Sequence, residues 1–258
     1  MDATLTEAIN DYYKRAMQSR AWRHLDKIGF INVGYWEGVD DSMEIAQINL
    51  IETLVRFLRN REGNILDVAC GKGASSKFLT KYFDPRGITG INISEQQLEF
   101  CRMTAPECAF DLMDATQLEF ADAAFDNVLC IEACLHFMTR QKFFQEAYRV
   151  LRPGGRMAML DFLCDYDLLE EDRAARLPRE NYLPSLDAYR EKLVAAGFKY
   201  VRVDDCTDKT IKAAADYMIR RMESEFDKSP DADVLQDITR TKRLAQSLFS
   251  GALVYAIK

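Results

Sequence analysis

Ile65-Leu66-Asp67-Val68-Ala69-Cys70-Gly71-Lys72-Gly73 is the stretch whose reading decides the fold. It reads as a buried strand that runs into a glycine-containing turn, with a helix after it. A strand, a tight turn and a helix in that order let the backbone press closely against a nucleotide-like ligand. Two common phosphate-binding loops are excluded. Ala69 stands where GxGxxG has its first glycine, and the GK[ST] of a phosphate loop is missing.

From residue 64 onward, short apolar runs alternate with helix-like stretches, the pattern of βαβ units and a parallel sheet. Strands are predicted at 64–68, 87–92, 108–111, 126–131, 155–161, 198–203 and 252–257. Pro153-Gly154-Gly155 reads as a turn separating helix 140–150 from the next strand. After Asp161 an acidic, irregular stretch leads to helix 185–196, and further helices are predicted at about 209–226 and 232–249.

Upstream of the first strand, Ala8, Ile9, Tyr12, Tyr13 and Ala16 recur at helical spacing. A second helix opens at Ser42, a capping hydroxyl, with Glu44 in its first turn. Its expected apolar face is Ile45, Ile48, Ile51, Leu54, Val55 and Leu58. Between these helices Phe30–Gly38 is aromatic, carries two glycines and lacks a helical period, so it reads as an extended loop. No repeat or linker divides the chain. The expectation is a single α/β domain over 1–258, with a helical cap at 1–60, a core at 61–164, and a lid, extra helices and the last two strands at 165–258.

With 34 Lys and Arg against 41 Asp and Glu, the net charge of −7 argues against a nucleic-acid backbone as partner. The longest apolar runs, such as Val128–Ile131 and Met157–Leu160, fall far short of the ~18–20 residues of a membrane-spanning helix. Met1-Asp2-Ala3-Thr4 has neither the cationic start nor the apolar stretch of a signal peptide, so a cytoplasmic location is expected. The seven cysteines are odd in number, form no CxxC and have only His136 near them, so neither a disulfide framework nor a metal site is expected.

Strand 64–68 with its DxxCGxG, then Thr89-Gly90-Ile91-Asn92-Ile93-Ser94, Met113-Asp114-Ala115-Thr116 and Leu151-Arg152-Pro153-Gly154-Gly155, resemble in order and spacing the motif series of class I S-adenosylmethionine-dependent methyltransferases. The resemblance covers about residues 60–165. It implies a Rossmann-like, seven-stranded, mainly parallel sheet with a final antiparallel strand, and S-adenosylmethionine as co-substrate. It implies that Ala69, Gly71 and Gly73 lie under the methionyl group, with Asp67 accepting from its ammonium. Asp114 is then the acceptor for the adenine amino group, with Ala115 and Thr116 beside the ring, while Ile131 and Glu132 flank the sulfonium.

Where most class I enzymes hold the ribose with an acidic residue, this chain has Asn92. Asn92-Ile93-Ser94 with Gln97 is similar to a branch of cyclopropane fatty acid synthases, tocopherol-type C-methyltransferases and rebeccamycin-type sugar O-methyltransferases. There a neutral side chain at the Asn92 position and the glutamine handle the ribose. Asn32-Val33-Gly34-Tyr35-Trp36, followed by Glu44, Ala46 and Gln47, is also similar to this branch, which makes Tyr35 the expected lid residue. Cyclopropane synthases use a cysteine and a Glu-His pair where this chain has Val33 and Leu135-His136, which disfavours cyclopropanation.

The polar pair that remains is His136, after the fourth strand, and Asp161, expected at the carboxyl end of the fifth. A hydroxyl acceptor gains from a base that removes its proton, and a carboxylate beside a histidine suits that task. The pair's spacing resembles that of the rebeccamycin-type enzymes. Plainer readings stand beside it: His136 packing at a helix start, Asp161 capping an element, Cys130 and Cys134 as packing residues, and Met218, Met222 and Phe226 as helix core. Asp165, Asp167, Glu170, Glu171 and Asp172 read as a solvated face placed where this family inserts its substrate lid.

The expected activity is O-methylation of a hydroxyl on a small natural product or glycoside, with His136 as general base; a homo-oligomer is left open. One alternative is C- or N-methylation of an isoprenoid, amine or other metabolite without a required base, a cation being stabilised by Glu132 or aromatic rings. Another is a non-catalytic cofactor-binding scaffold.

Overall fold

Parallel strands covered on both faces read as continuous apolar runs, and Ile65–Val68 is buried at every position. In the computed structural model, which describes residues 7, 10, 11, 20–26, 28–38, 41–168 and 178–258, this run is β1. It lies inside a seven-stranded sheet of order β3-β2-β1-β4-β5-β7-β6. The other strands are β2 (Ile88–Asn92), β3 (Ala109–Leu112), β4 (Phe125–Ile131), β5 (Leu151–Cys164), β6 (Tyr200–Asp205) and β7 (Leu248–Ile257). β1 to β5 pair in parallel, and β7 inserts antiparallel between β5 and β6. All seven expected strands are present, in the expected Rossmann-like arrangement.

The described helices are α1 (Arg20–Leu25), α2 (Met43–Phe57), α3 (Ala74–Leu79), α4 (Glu95–Thr104), α5 (Arg140–Val150), α6 (Leu186–Ala195), α7 (Ala213–Lys228) and α8 (Ala232–Ser247). None of the described helices is long and apolar enough to cross a membrane. Strand order reverses beside β1, so a crevice opens beyond the carboxyl ends of β1 and β4, where open α/β sheets take their ligands. Met222 packs with Val234 and Ile238, and Met218 and Phe226 flank them, so these residues are helix core between α7 and α8.

Three expectations change. Ser42 caps α2, accepting from the Ile45 N–H at 3.3 Å, but the helix face is rotated: Ile45 is exposed while Gln47 is fully buried. The Gln47 side-chain amide donates to the carbonyls of Leu25 and Asn32, each at 2.8 Å, and so belongs inside. Pro153–Gly155 is no turn ahead of the strand. Leu151 already pairs with Phe125 and Arg156 with Asn127, so Arg152–Gly155 bulges out within β5. At its other end β5 runs on to Cys164, which leaves Asp161 inside the sheet, opposite Ala252, and not at a strand end. Ala8, Ile9, Tyr12, Tyr13, Ala16, Glu170, Glu171 and Asp172 lie outside the described residues.

Candidate active site

Beyond Val68 the chain turns through two left-handed residues, Ala69 and Gly71, both at φ +56°, and a third, Gly73, at +84°. An alanine in this region is uncommon and carries strain that its surroundings must offset. Here the Cys70 N–H donates to the Ile91 carbonyl at 3.1 Å and the Gly73 N–H to the Cys70 carbonyl at 2.9 Å. The two glycines do different things. A Cβ on Gly71 would project into open space, meeting only Ile31 Cδ1 at 3.4 Å, whereas one on Gly73 would come within 2.8 Å of Cys101 Cα. Gly71 leaves room for a ligand; Gly73 lets α3 start against α4.

The turn forms one wall of an open cleft, whose other walls are the ends of β2 and β4 and the segment Gly29–Asn32. Asp67 lies at its base, almost wholly buried, and accepts from Ser75 Oγ at 2.7 Å and Ser76 Oγ at 2.6 Å, both on Oδ2. Burial pushes its carboxyl up to about 6 against the pull of these two hydroxyls. Next along the wall, Asn92 donates to Gln97 Oε1 at 2.9 Å, with Ile93 beside it. Asp114 follows, its Oδ1 held by the N–H and hydroxyl of Thr116, each at 2.8 Å, with Ala115 adjoining.

At the β4 end, Ile131, Glu132 and His136 reach the same cleft, together with Phe137 and Met138. Glu132 has φ +55° and accepts the Val33 N–H on Oε1 at 2.8 Å. Burial, with a smaller contribution from Asp161, pushes its carboxyl up to about 8 despite that bond. His136 ends the short turn Cys134–His136 that leaves β4. Burial pushes the thiols of Cys130 and Cys134 well up, which suits packing residues and not nucleophiles.

Four of the expected site residues do not line the cleft. Gly73 and Thr116 support it from behind, as above. Tyr35, the expected lid residue, stands off the cleft: its N–H donates to the Ala46 carbonyl at 2.7 Å, and its ring packs toward the core beneath Lys209. The residues of this segment that line the cleft are Gly29, Phe30, Ile31 and Asn32. Asp161 is the fourth, set inside the sheet and off the cleft wall. Asp161 is fully buried, and its oxygens accept from Arg140 Nε at 2.7 Å, the Tyr189 hydroxyl at 2.9 Å and the Leu135 N–H at 3.2 Å. Arg140, Asn181 and Tyr189 escaped the sequence reading. One signal was present: Arg140 is a cation in the first turn of α5, the end a helix dipole disfavours.

The cleft suits an adenosyl sulfonium ligand. A carboxylate lies at its base for an ammonium, the Gly71 cradle would be filled by any Cβ, neutral amides stand in its middle, and a braced carboxylate lies beyond them. Residues 66–159 match the methyltransferase domain family. The O-methyltransferase cnsE of Penicillium expansum is 35% identical over 188 residues, covering 69% of this chain and 68% of the relative. The erythromycin 3''-O-methyltransferase of Saccharopolyspora erythraea is 30% identical over 222 residues, or 78% and 72% of the two chains. Among solved structures, mycolic acid cyclopropane synthase CmaA1, complexed with SAH and CTAB, superposes with a TM-score of 0.73 at 18% identity and 93% coverage of both chains. Sequence, fold and cleft agree: the chain belongs to the class I S-adenosylmethionine-dependent methyltransferases that act on small molecules.

Proposed function

We propose that this enzyme methylates a hydroxyl oxygen of a small natural product or glycoside, with His136 as general base. The observation that carries the reading is that His136 lines the same cleft as Glu132 and the Ala69–Gly71 turn. The two relatives, both O-methyltransferases, support the oxygen acceptor. Bound S-adenosylmethionine supplies an electrophilic methyl group on a sulfonium.

The chain's own residues then have separate tasks. Asp67 holds the ammonium, and the backbone of Ala69 and Gly71 seats the methionyl group. Asn92, Ile93 and Gln97 take the ribose, while Asp114, kept in place by Thr116, and Ala115 take the adenine. Ile131 and Glu132 border the reacting centre. His136 removes the acceptor's hydroxyl proton, and Ile31, Phe137 and Met138 exclude water, so that alignment of acceptor and methyl carbon does much of the catalysis. A single domain and a cytoplasmic location complete the reading.

His136→Ala tests it. Cofactor affinity stays near that of the parent, and turnover on a hydroxyl acceptor falls by about 10²–10⁴. A loss below about tenfold favours C- or N-methylation, the reading that the Glu132 carboxyl in the cleft would serve, and mass fragmentation of the product separates the two.

A further inference from the structure

We infer that Arg140, Asp161, Asn181 and Tyr189 form a positioning frame that sets His136 in the cleft by gripping the backbone on either side of it; this rests on the reading of His136 as base. The grip is direct. Asp161 Oδ1 accepts the Leu135 N–H at 3.2 Å. The Asn181 side-chain amide donates to the Leu135 carbonyl at 3.0 Å and the Phe137 carbonyl at 2.7 Å. Peptide groups before and after His136 are thereby fixed.

The rest of the frame holds these two gripping residues. Arg140 Nε bonds Asp161 Oδ2 at 2.7 Å, Nη1 donates to the Asn181 carbonyl, and Nη2 donates to the Phe162 carbonyl at 2.6 Å. The Arg140 N–H donates to Asn181 Oδ1 at 2.8 Å, so both ends of that amide are engaged. Tyr189 adds its hydroxyl to Asp161 Oδ2 at 2.9 Å. All four residues are buried, Arg140 and Asp161 completely.

Stability alone is a poor reason for such an arrangement. Apolar residues of similar volume often serve as well as a buried ion pair, and Arg140 occupies the end of α5 that disfavours a cation. What the frame supplies is position. It joins β5, α5, α6 and the turn Arg179–Asn181 to the three residues that place the base, and a misplacement of about 1 Å near reacting atoms can cost about 10²-fold in rate.

Asn181→Leu removes the two carbonyl grips and leaves the Asp161 bond to the Leu135 N–H, and Tyr189→Phe loosens the frame by one hydroxyl should the first variant fail to fold. With the hydroxyl acceptor on which the parent turns over, Asn181→Leu lowers kcat about tenfold or more and Tyr189→Phe about two- to fivefold, with S-adenosylhomocysteine affinity within about twofold of the parent. In the His136→Ala background neither substitution lowers kcat further. Chain-wide there are two histidines, so imidazole NMR of the S-adenosylhomocysteine complex gives a readout independent of turnover: the His136 signals shift in either variant and those of His24 do not. Unchanged kcat and unchanged His136 signals overturn the frame, as does a loss that simply adds to that of His136→Ala. A near-normal His136→Ala enzyme overturns the base reading instead, so the two failures are distinct.

Discussion

On the β1–β3 side of the cleft, each polar group is braced by a near neighbour in the chain. Ser75 and Ser76 reach Asp67 from eight and nine residues on, Gln97 meets Asn92 from five, and Thr116 holds Asp114 from two. On the β4–β5 side the partners are distant. Arg140 meets Asp161 across 21 residues, Tyr189 across 28, Asn181 reaches Leu135 across 46, and the Val33 N–H reaches Glu132 across 99. The side assigned to the cofactor is thus built from turns that single βα units can form. The side assigned to the acceptor exists only after α5, α6 and the loop over the cleft have docked. Damage to the first should be local, and damage to the second should spread.

The largest effect is expected where a distant contact is also ionic. Arg140→Leu strands a buried carboxylate and costs about 3–5 kcal/mol, read by denaturant unfolding. Adding Asp161→Leu should recover much of that stability while leaving turnover low, which separates the frame's positional task from its packing.

Gly73→Ala comes next. Its Cβ meets Cys101 Cα at a left-handed φ, so about 1–3 kcal/mol is lost, and cofactor affinity falls only as far as the folded fraction does. Gly71→Ala is the counterpart: little stability is lost beyond the backbone strain, and calorimetric titration with S-adenosylmethionine shows affinity down by about tenfold or more, near the worth of one good contact. Equal effects at the two glycines would break the distinction drawn between them.

Asp67 gives a pH test. Its folded-state value, about 6, lies above the ordinary 3.8, so the stability linked to this group is present below about pH 4 and is lost as pH rises through 6. A bound ammonium favours the ionised form and reverses that cost, so S-adenosylmethionine affinity should fall about tenfold between pH 7 and pH 5. Asp67→Asn should flatten the profile. The smallest stability effect is Tyr189→Phe, about 1 kcal/mol, since Arg140 and the Leu135 N–H still satisfy Asp161.

The same division governs what could be read from the chain. The strands were legible because a strand buried on both faces is a short apolar run, and Ile65–Val68, Ile88–Asn92 and Phe125–Ile131 stand within a residue of the predicted ranges. Gly71, Asn92, Gln97 and Asp114 were legible as cleft residues because their conformations and bonds are set within a few positions of themselves. The place of Tyr35 off the cleft was not legible because its backbone bonds the Ala46 carbonyl, on a helix the loop must first meet. The packing of Gly73 was hidden for a like reason, its neighbour Cys101 lying on α4.

Asp67 and Asp161 make the point most directly. Each is an aspartate in an apolar strand, and nothing nearby in the sequence distinguishes a carboxylate at the base of a cleft from one locked in the interior. Asp67 stands one residue before the end of β1, with two serines eight and nine residues on. Asp161 is carried inside by three further residues of β5 and is claimed there by an arginine and a tyrosine from other helices. The sequence by itself determined the order of strands and helices, the glycine turn and the residues it presents, because those rest on local sterics and on apolar periodicity. Only the tertiary structure decided which polar groups face the ligand and which hold the machinery still, because buried charges take whatever partner the packed elements bring within bonding distance.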